Sequence, residues 1–481
     1  MQQAPIVDDV HGPVPAGSAG DLHVTQYLYA YPLRADQTLL FNTLTGAVDA
    51  VESGLADRLR PRAACPPSLF SAEERGFLLE RGYLVSGDRQ QQDVAAWFDA
   101  FKQRLRSFHF IVCPTLTCNL RCHYCYEPLD NRQSRTTMTP AHIVSLLRAM
   151  DRLIEERGAE TVHLEFFGGE PFLRSHRPVV EAMMQAADER GWSLSGISNG
   201  TQLDAYVPAF ARHAGAISQL QITLDGPRAI HDTIRVNARG AGSYDAICRN
   251  VSAMLDLDIP MVLRVNVGAD TTVELPQLFA AFDAMGWTSY GHFHCQLAPI
   301  NDHGCTGCVS GYQPEFTLLH QLHAVFDDWE DTRERYHVTL GYDMERRTSL
   351  LRTALYGRQS SLLRRHDLSG CSASNQHYVV FGADGLLYAC PETVGLSETA
   401  IGRFHPDYAL DRQTWSRWDV NIANTGKCID CNIAPVCGGA CPWHGFNASS
   451  FDAYEPHCNY ASQTIATYLD VNRARILELV D

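Results

Sequence analysis

The chain has 481 residues, too many for one ordinary core, and reads as two or three domains that each bury their own apolar surface. Hydrophobic residues make up 45% and charged residues 20%, which excludes wholesale disorder, and a net charge of −16 argues against a large nucleic-acid footprint. The opening MQQAPIVDDVHGPVPAGSAG has neither the basic start nor the apolar run of a secretory signal, and no apolar run approaches the roughly 20 residues needed to span a bilayer. The expected setting is therefore cytoplasmic, with no membrane and no nucleic acid as partner. In that reducing compartment, sixteen clustered cysteines point to metal ligation in preference to disulfides.

Residues 1–20, rich in Gly, Pro and Asp, read as a flexible tail. LHVTQYLYAYPL and TLLFNTLTGAVDAV alternate apolar and polar positions as strands do, with Asn42 and Gly46 near a turn. Ser71-Ala-Glu-Glu supplies a capping box ahead of a short helix, and a terminal strand follows. Residues 21–90 together suggest a small winged-helix-like domain, the alternative being an extension packed on the next domain; 91–104 reads as a linker helix.

From SFHFIV at 107–112 onward, strand and helix patterns alternate through TVHLEFF, LSGISNG, LQITLD, MVLRVNV and YGHFHCQL. Such alternation predicts parallel strands joined by crossover helices. Roughly six such units over residues 105–300 make an incomplete β/α barrel, an α/β fold whose chemistry belongs at the C-terminal ends of its strands. Residues 301–370 bridge to a cysteine-rich region at 371–460, where a hairpin around Asp384-Gly385 is expected, and 461–481 forms a final helix.

Cys118, Cys122 and Cys125 stand in C-N-L-R-C-H-Y-C directly after the first barrel strand. Three thiolates around a [4Fe–4S] cube leave one iron open to another ligand. A structural zinc site of three cysteines with His123 is the alternative, and it leaves the later motifs unexplained. Cys113, on the strand before the loop, reads as a core thiol or one packed behind the ligands, and not as a ligand itself.

The cysteine spacing, Phe167-Gly168-Gly169-Glu170-Pro171 and Ser198-Asn199-Gly200 together resemble the radical S-adenosylmethionine (SAM) superfamily. The resemblance implies a partial (β/α)6 radical SAM barrel whose catalytic cluster cleaves SAM reductively to a 5′-deoxyadenosyl radical. It also implies a set of SAM contacts. Tyr124 lies by the adenine, and Gly168, Gly169, Glu170 and Pro171 lie near the methionine amino group. Ser198 and Asn199 approach the ribose and carboxylate, and Arg235 and Arg264 are charged donors. Asp225 and Asp232 have two readings, assistance to proton transfer or a structural role at a strand end or helix start.

Cys371, Gly385, Cys390, Cys428, Cys431, Cys437, Cys441 and Cys458 follow the order of the seven-cysteine SPASM extension of radical SAM enzymes. By that resemblance Cys428, Cys431, Cys437 and Cys458 hold one auxiliary [4Fe–4S] cluster, while Cys371, Cys390 and Cys441 contribute to a second, giving three clusters in all. The fourth ligand of the second is left open among Cys295, Cys305, Cys308, a non-cysteine residue and substrate. The Cys305-x2-Cys308 pair has a further reading as structural or redox thiols.

The resemblance points to maturation of a ribosomally made precursor peptide, whose leader adds a strand to the N-terminal domain and whose side chains are oxidatively crosslinked. A flavodoxin or ferredoxin is the implied reductant. One alternative is anaerobic sulfatase maturation, which forms formylglycine; it expects an Asp directly after the second SPASM cysteine, where this chain has Cys390-Pro391-Glu392. The alternative of another class is a noncatalytic Fe–S scaffold or electron carrier.

Overall fold

The computed structural model describes residues 22–66, 68–87, 89–127, 136–268, 271–300, 312–358, 368, 370–446, 451, 454–456, 458 and 460–481. The expected tail at 1–20, together with Cys305 and Cys308, lies outside the described residues. Two compact units divide the chain: Met1–Arg104 with Tyr342–Ser374 and Val420–Asp481, and Leu105–Gly341 with Asn375–Asp419.

In the first unit, five short strands precede the helix Gln90–Arg104: β1 (Leu22–Val24), β2 (Leu28–Pro32), β3 (Gln37–Asn42), β4 (Val48–Glu52) and β5 (Leu84–Ser86). β2, β3 and β4 form an antiparallel meander, and β1 pairs with β5. The β3–β4 turn closes where the Asn42 side chain accepts the N–H groups of Leu44 and Thr45, with Gly46 in the left-handed region. Ser71 and Glu74 form the reciprocal capping box that starts the helix Ala72–Glu80. Val24, Leu28, Leu40, Leu78 and Tyr83 pack the core beneath. A buried ion pair sits among them: Arg81 donates to Asp49 at 2.8 Å, and Tyr83 donates its hydroxyl to the same carboxylate oxygen.

The second unit carries seven parallel strands: β6 (Ser107–Val112), β7 (Thr161–Phe166), β8 (Ser193–Ser198), β9 (Ile217–Thr223), β10 (Met261–Val267), β11 (Phe293–Pro299) and β12 (Val338–Leu340). The first six coincide with the six strand patterns of the sequence. Along β7 and β10 buried apolar residues alternate with half-buried polar ones, so His163, Glu165, Arg264 and Asn266 stand on the opposite face from the apolar core. Helices such as Pro140–Arg157, Arg177–Glu189 and Tyr244–Leu255 make the crossovers.

The sheet extends beyond the expected barrel. β13 (Tyr378–Phe381) pairs in parallel with β6, and β14 (Leu386–Tyr388), β15 (Gly402–Arg403) and β16 (Ala409–Leu410) continue antiparallel. The compact units therefore cut across the expected 371–460 region: the strand pairing carries 375–419 into the barrel sheet, while 420–460 belongs with the N-terminal strands. Local sequence patterning contains no signal for a pairing between strands some 270 positions apart. No helix among the described residues is long and apolar enough to cross a membrane.

Candidate cluster and cofactor site

β6, β7, β8 and β9 end at one rim of the second unit, and each is followed there by a segment rich in polar or sulfur donors. Cys118, Cys122 and Cys125 occupy the loop after β6. Two N–H donors already face the Cys118 sulfur, the backbone of Leu120 at 3.4 Å and the Asn199 amide at 3.7 Å. Burial, with Glu170 nearby, pushes the Cys118 thiol up to about 12. A thiol so placed stays protonated unless a cation replaces the proton, so this donor set suits a thiophilic metal centre. His123 is exposed and meets Tyr124 edge-on, ring centroids 5.6 Å apart.

The Gly168-Gly169 segment passes directly against the cysteine loop. A Cβ on Gly169 would fall 2.1 Å from the Leu116 carbonyl oxygen, and one on Gly168, at φ +117°, would fall 2.5 Å from that of Thr115. Glu170 is buried at 1% exposure, and its carboxylate accepts from Phe172 N at 3.0 Å, Ser198 Oγ at 2.8 Å and Asn199 N at 2.6 Å. Three of its roughly four lone-pair positions are thus filled by the protein. Beyond the contact that the resemblance implies for it, Glu170 ties the segment after β7 to the segment after β8. Pro171 is buried beside it. Asn199 continues the chain of contacts, donating to Asn119 Oδ1 at 2.8 Å.

Across the rim, Tyr124 hydrogen-bonds Asp225, accepts from Arg235 at 2.5 Å and from Asn266 at 3.0 Å. Asp225, fully buried after β9, also accepts the Asn266 backbone N–H at 2.9 Å and meets Arg235 at 3.4 Å. Burial opposes charge on Arg235, yet Cys122, Tyr124 and Asp225 together hold its pKa above the ordinary arginine value. Its Nε is a buried donor with no hydrogen-bond partner among the described residues, which suits an anionic ligand group. Arg264 donates to Asn266 at 2.9 Å and Gln296 at 3.0 Å.

Asp225 is thereby a hub of this polar network, while Asp232 accepts the N–H groups of Ser243 and Tyr244 and caps the helix Tyr244–Leu255. Asn266 and Gln296 escape a sequence reading. Asn266 stands two positions beyond Arg264 in MVLRVNV, the same-face spacing that could have flagged it. Cys113 is fully buried in the core beneath the loop, and Cys295 is fully buried within β11. Glu392 lies near enough to Tyr126, beside Cys125, to help raise its pKa after burial and Glu127.

In the first unit, Cys428, Cys431, Cys437 and Cys458 lie within electrostatic reach of one another; burial and the other three thiols push Cys428 up to about 12. Tyr454 senses Cys428, Cys441, Cys437 and Cys371, so these four share one neighbourhood. The charge of Arg347 works against burial at Cys437. Four convergent thiols, Cys428 buried, Cys431 and Cys437 half-buried and Cys458 exposed, fit an Fe–S cube or zinc by donor chemistry. Cys390 lies in the other compact unit.

Residues 112–279 match the family model of the Radical SAM superfamily. The chain is 25% identical over 350 residues to the serine-type anaerobic sulfatase-maturating enzyme of Klebsiella pneumoniae, covering 70% of this chain and 82% of that protein. It is 23% identical over 351 residues to the cysteine-type enzyme of Clostridium novyi, covering 70% and 88%. Among solved structures, native anSMEcpe with bound AdoMet and Kp18Cys peptide aligns with a TM-score of 0.57 at 19% identity, over 78% of this chain and 99% of that one. Streptococcus suis SuiB bound to precursor peptide SuiA aligns at 0.53 and 15% identity, over 91% and 99%. The matched segment holds the three-cysteine loop, the Gly-Gly-Glu-Pro turn and the Tyr124–Asp225–Arg235 network, and with it the chain carries a Radical SAM domain and is similar over most of its length to sulfatase-maturating enzymes.

Proposed function

We propose that this chain is a peptide maturase that oxidatively crosslinks side chains of a ribosomally made precursor held by its leader. The observation carrying this reading is the N-terminal sheet. β2 at one edge has the carbonyls at its two ends engaged: Leu28 accepts from Asn432 and Pro32 from Arg473, which also donates to Leu33 just beyond the strand. β4 ends the sheet at the other edge, pairing only with β3 among the described residues. An open strand edge captures a peptide through backbone hydrogen bonds, with little demand on its sequence. The fold likeness to SuiB extends over 91% of this chain against 78% for anSMEcpe, which supports a counterpart for this region in a protein crystallised with a precursor peptide.

In this reading Cys118, Cys122 and Cys125 hold the catalytic [4Fe–4S] cluster, and Tyr124, Gly168, Gly169, Glu170, Pro171, Ser198, Asn199, Arg235 and Arg264 line the SAM site. When bound, the cluster and SAM supply a 5′-deoxyadenosyl radical that removes a substrate hydrogen. The protein's own part is placement: Glu170 fixes Asn199, Asp225 fixes Tyr124 and Arg235, and the close glycines bring backbone to the ligand. Cys428, Cys431, Cys437 and Cys458 hold one auxiliary cluster. Cys371 and Cys441 contribute to the second, and a flavodoxin or ferredoxin serves as reductant in the cytoplasm.

Sulfatase maturation is supported as a second reading by the names of the sequence relatives and by Glu392, a carboxylate close to the cysteine loop. Anaerobic reaction of the reconstituted enzyme with SAM, reductant and precursor separates the two. Deoxyadenosine release, lost in Cys118→Ser, with a peptide lighter by two hydrogens and inert to hydrazine-type carbonyl reagents is the expected result. A carbonyl-reactive product from a sulfatase-derived peptide, with no crosslinked product from any precursor, overturns crosslinking in favour of formylglycine.

A further inference from the structure

The inner layer of parallel barrel strands is ordinarily filled by branched apolar side chains. Here it is polar in its lower half, away from the rim that carries the cysteine loop. His109 on β6 lies opposite His163 on β7, and Glu165 stands two positions further along β7 on the same face. On β8, Ser193 and Ser195 lie opposite His163 and Glu165. Tyr378 of β13, opposite His109, closes the other side with its ring edge-on at 5.0 Å.

We propose that His109, His163 and Glu165 form a binding site for one divalent d-block cation, zinc by preference, distinct from every cysteine site of the chain. One nitrogen from each imidazole and one carboxylate oxygen all lie within 4.8 Å of one another, so small side-chain rotations bring them onto a common ion. His109 Nε2 is buried and has no hydrogen-bond partner among the described residues, a ligating position that the neighbouring side chains leave unused. The His163 ring nitrogens face Ser193 Oγ at 2.8 Å and Ser195 Oγ at 2.7 Å. Whichever nitrogen takes the metal, the other serine fixes the ring and its tautomer, as the outer partners of metal-bound histidines do.

The protonation states suit the same reading. Burial, with His163 alongside, pushes His109 down to about 3 and lowers His163 as well, so both imidazoles are neutral and free to ligate. Burial pushes Glu165 up to about 7 against a single opposing hydrogen bond from Ser195. No cationic side chain contributes to its balance. Two imidazoles, a carboxylate and a fourth position for water or serine make a borderline donor set that selects zinc over magnesium or calcium.

The test uses the full chain with its Fe–S clusters reconstituted, so that the cysteine thiolates are occupied, dialysed anaerobically against buffered zinc and analysed for zinc, iron and sulfide per chain. One zinc beyond the cluster iron is expected, with affinity weakened at least about tenfold in both His109→Gln and Glu165→Gln while iron and sulfide stay unchanged. Cobalt(II) bound in place of zinc should give a high-spin EPR signal in the oxidised holoenzyme that both variants lack. No additional zinc in the wild-type holoenzyme, or equal zinc in wild type and both variants, overturns the site. Deoxyadenosine formation reports separately on the radical chemistry.

Discussion

Glu170 receives the backbone N–H of Asn199 at 2.6 Å, so a carboxylate from the turn after β7 holds the backbone of the segment after β8. The same carboxylate receives Ser198 Oγ, and Asn199 in turn reaches the Cys118 sulfur. Glu170→Gln keeps the shape but gives up a charged acceptor, at a cost of about 2 kcal/mol. Weaker SAM binding by isothermal titration, with iron content retained, is the expected outcome; unchanged binding and an unchanged denaturation midpoint would remove Glu170 from this positioning role.

Two glycines make opposite predictions. Gly169→Ala drives a methyl group to 2.1 Å from a backbone carbonyl, and the loop must move. We expect deoxyadenosine production to fall at least about 100-fold, the cost of a shift of about 1 Å at a reacting centre. Gly76 lies within the helix Ala72–Glu80 with nothing within 4 Å of its would-be Cβ. Gly76→Ala should stabilise the chain by about 0.5–1 kcal/mol in chemical denaturation.

Asp49 is the shared acceptor of Arg81 and Tyr83 in the N-terminal core. Asp49→Ala removes the carboxylate that a buried guanidinium and a buried hydroxyl share and should destabilise the first unit by about 3 kcal/mol, read as earlier unfolding of its amides in hydrogen exchange. An unchanged exchange pattern would show that Arg81 finds another partner at little cost.

His231, between the Asp225 backbone N–H and Ser243 Oγ, is fully buried, and burial lowers its pKa to about 4 from an ordinary 6.5. Between those values the unfolded chain binds the extra proton, so stability is full above 6.5 and falls as pH drops toward 4. From pH 6.5 to 5 this amounts to about 2 kcal/mol. His231→Gln should flatten that part of the stability profile in urea titrations; a profile as steep as wild type would assign the acid sensitivity to other groups.

The catalytic strands were legible because short stretches such as SFHFIV and MVLRVNV keep apolar residues at alternate positions, and because the cysteine, Gly-Gly-Glu-Pro and Ser-Asn-Gly segments follow them in order. What escaped was contact between segments. Nothing in VVF at 379–381 announces β6 as its neighbour, and Gln296 becomes visible only when register sets it beside Arg264. Glu165 and His163 read simply as polar positions in a strand until His109 is placed opposite.

The β13–β6 pairing also orders events during synthesis. β6 gains one neighbour, β7, soon after it leaves the ribosome, but its other edge stays bare until residue 381 has emerged. During that interval Phe110 and Val112 present an apolar strand with unpaired backbone groups, the kind of edge that recruits a second chain. Closing so long a loop is also entropically slow. The last step in building the catalytic sheet is therefore its most aggregation-exposed one, and truncations ending before β13 would leave that edge permanently open.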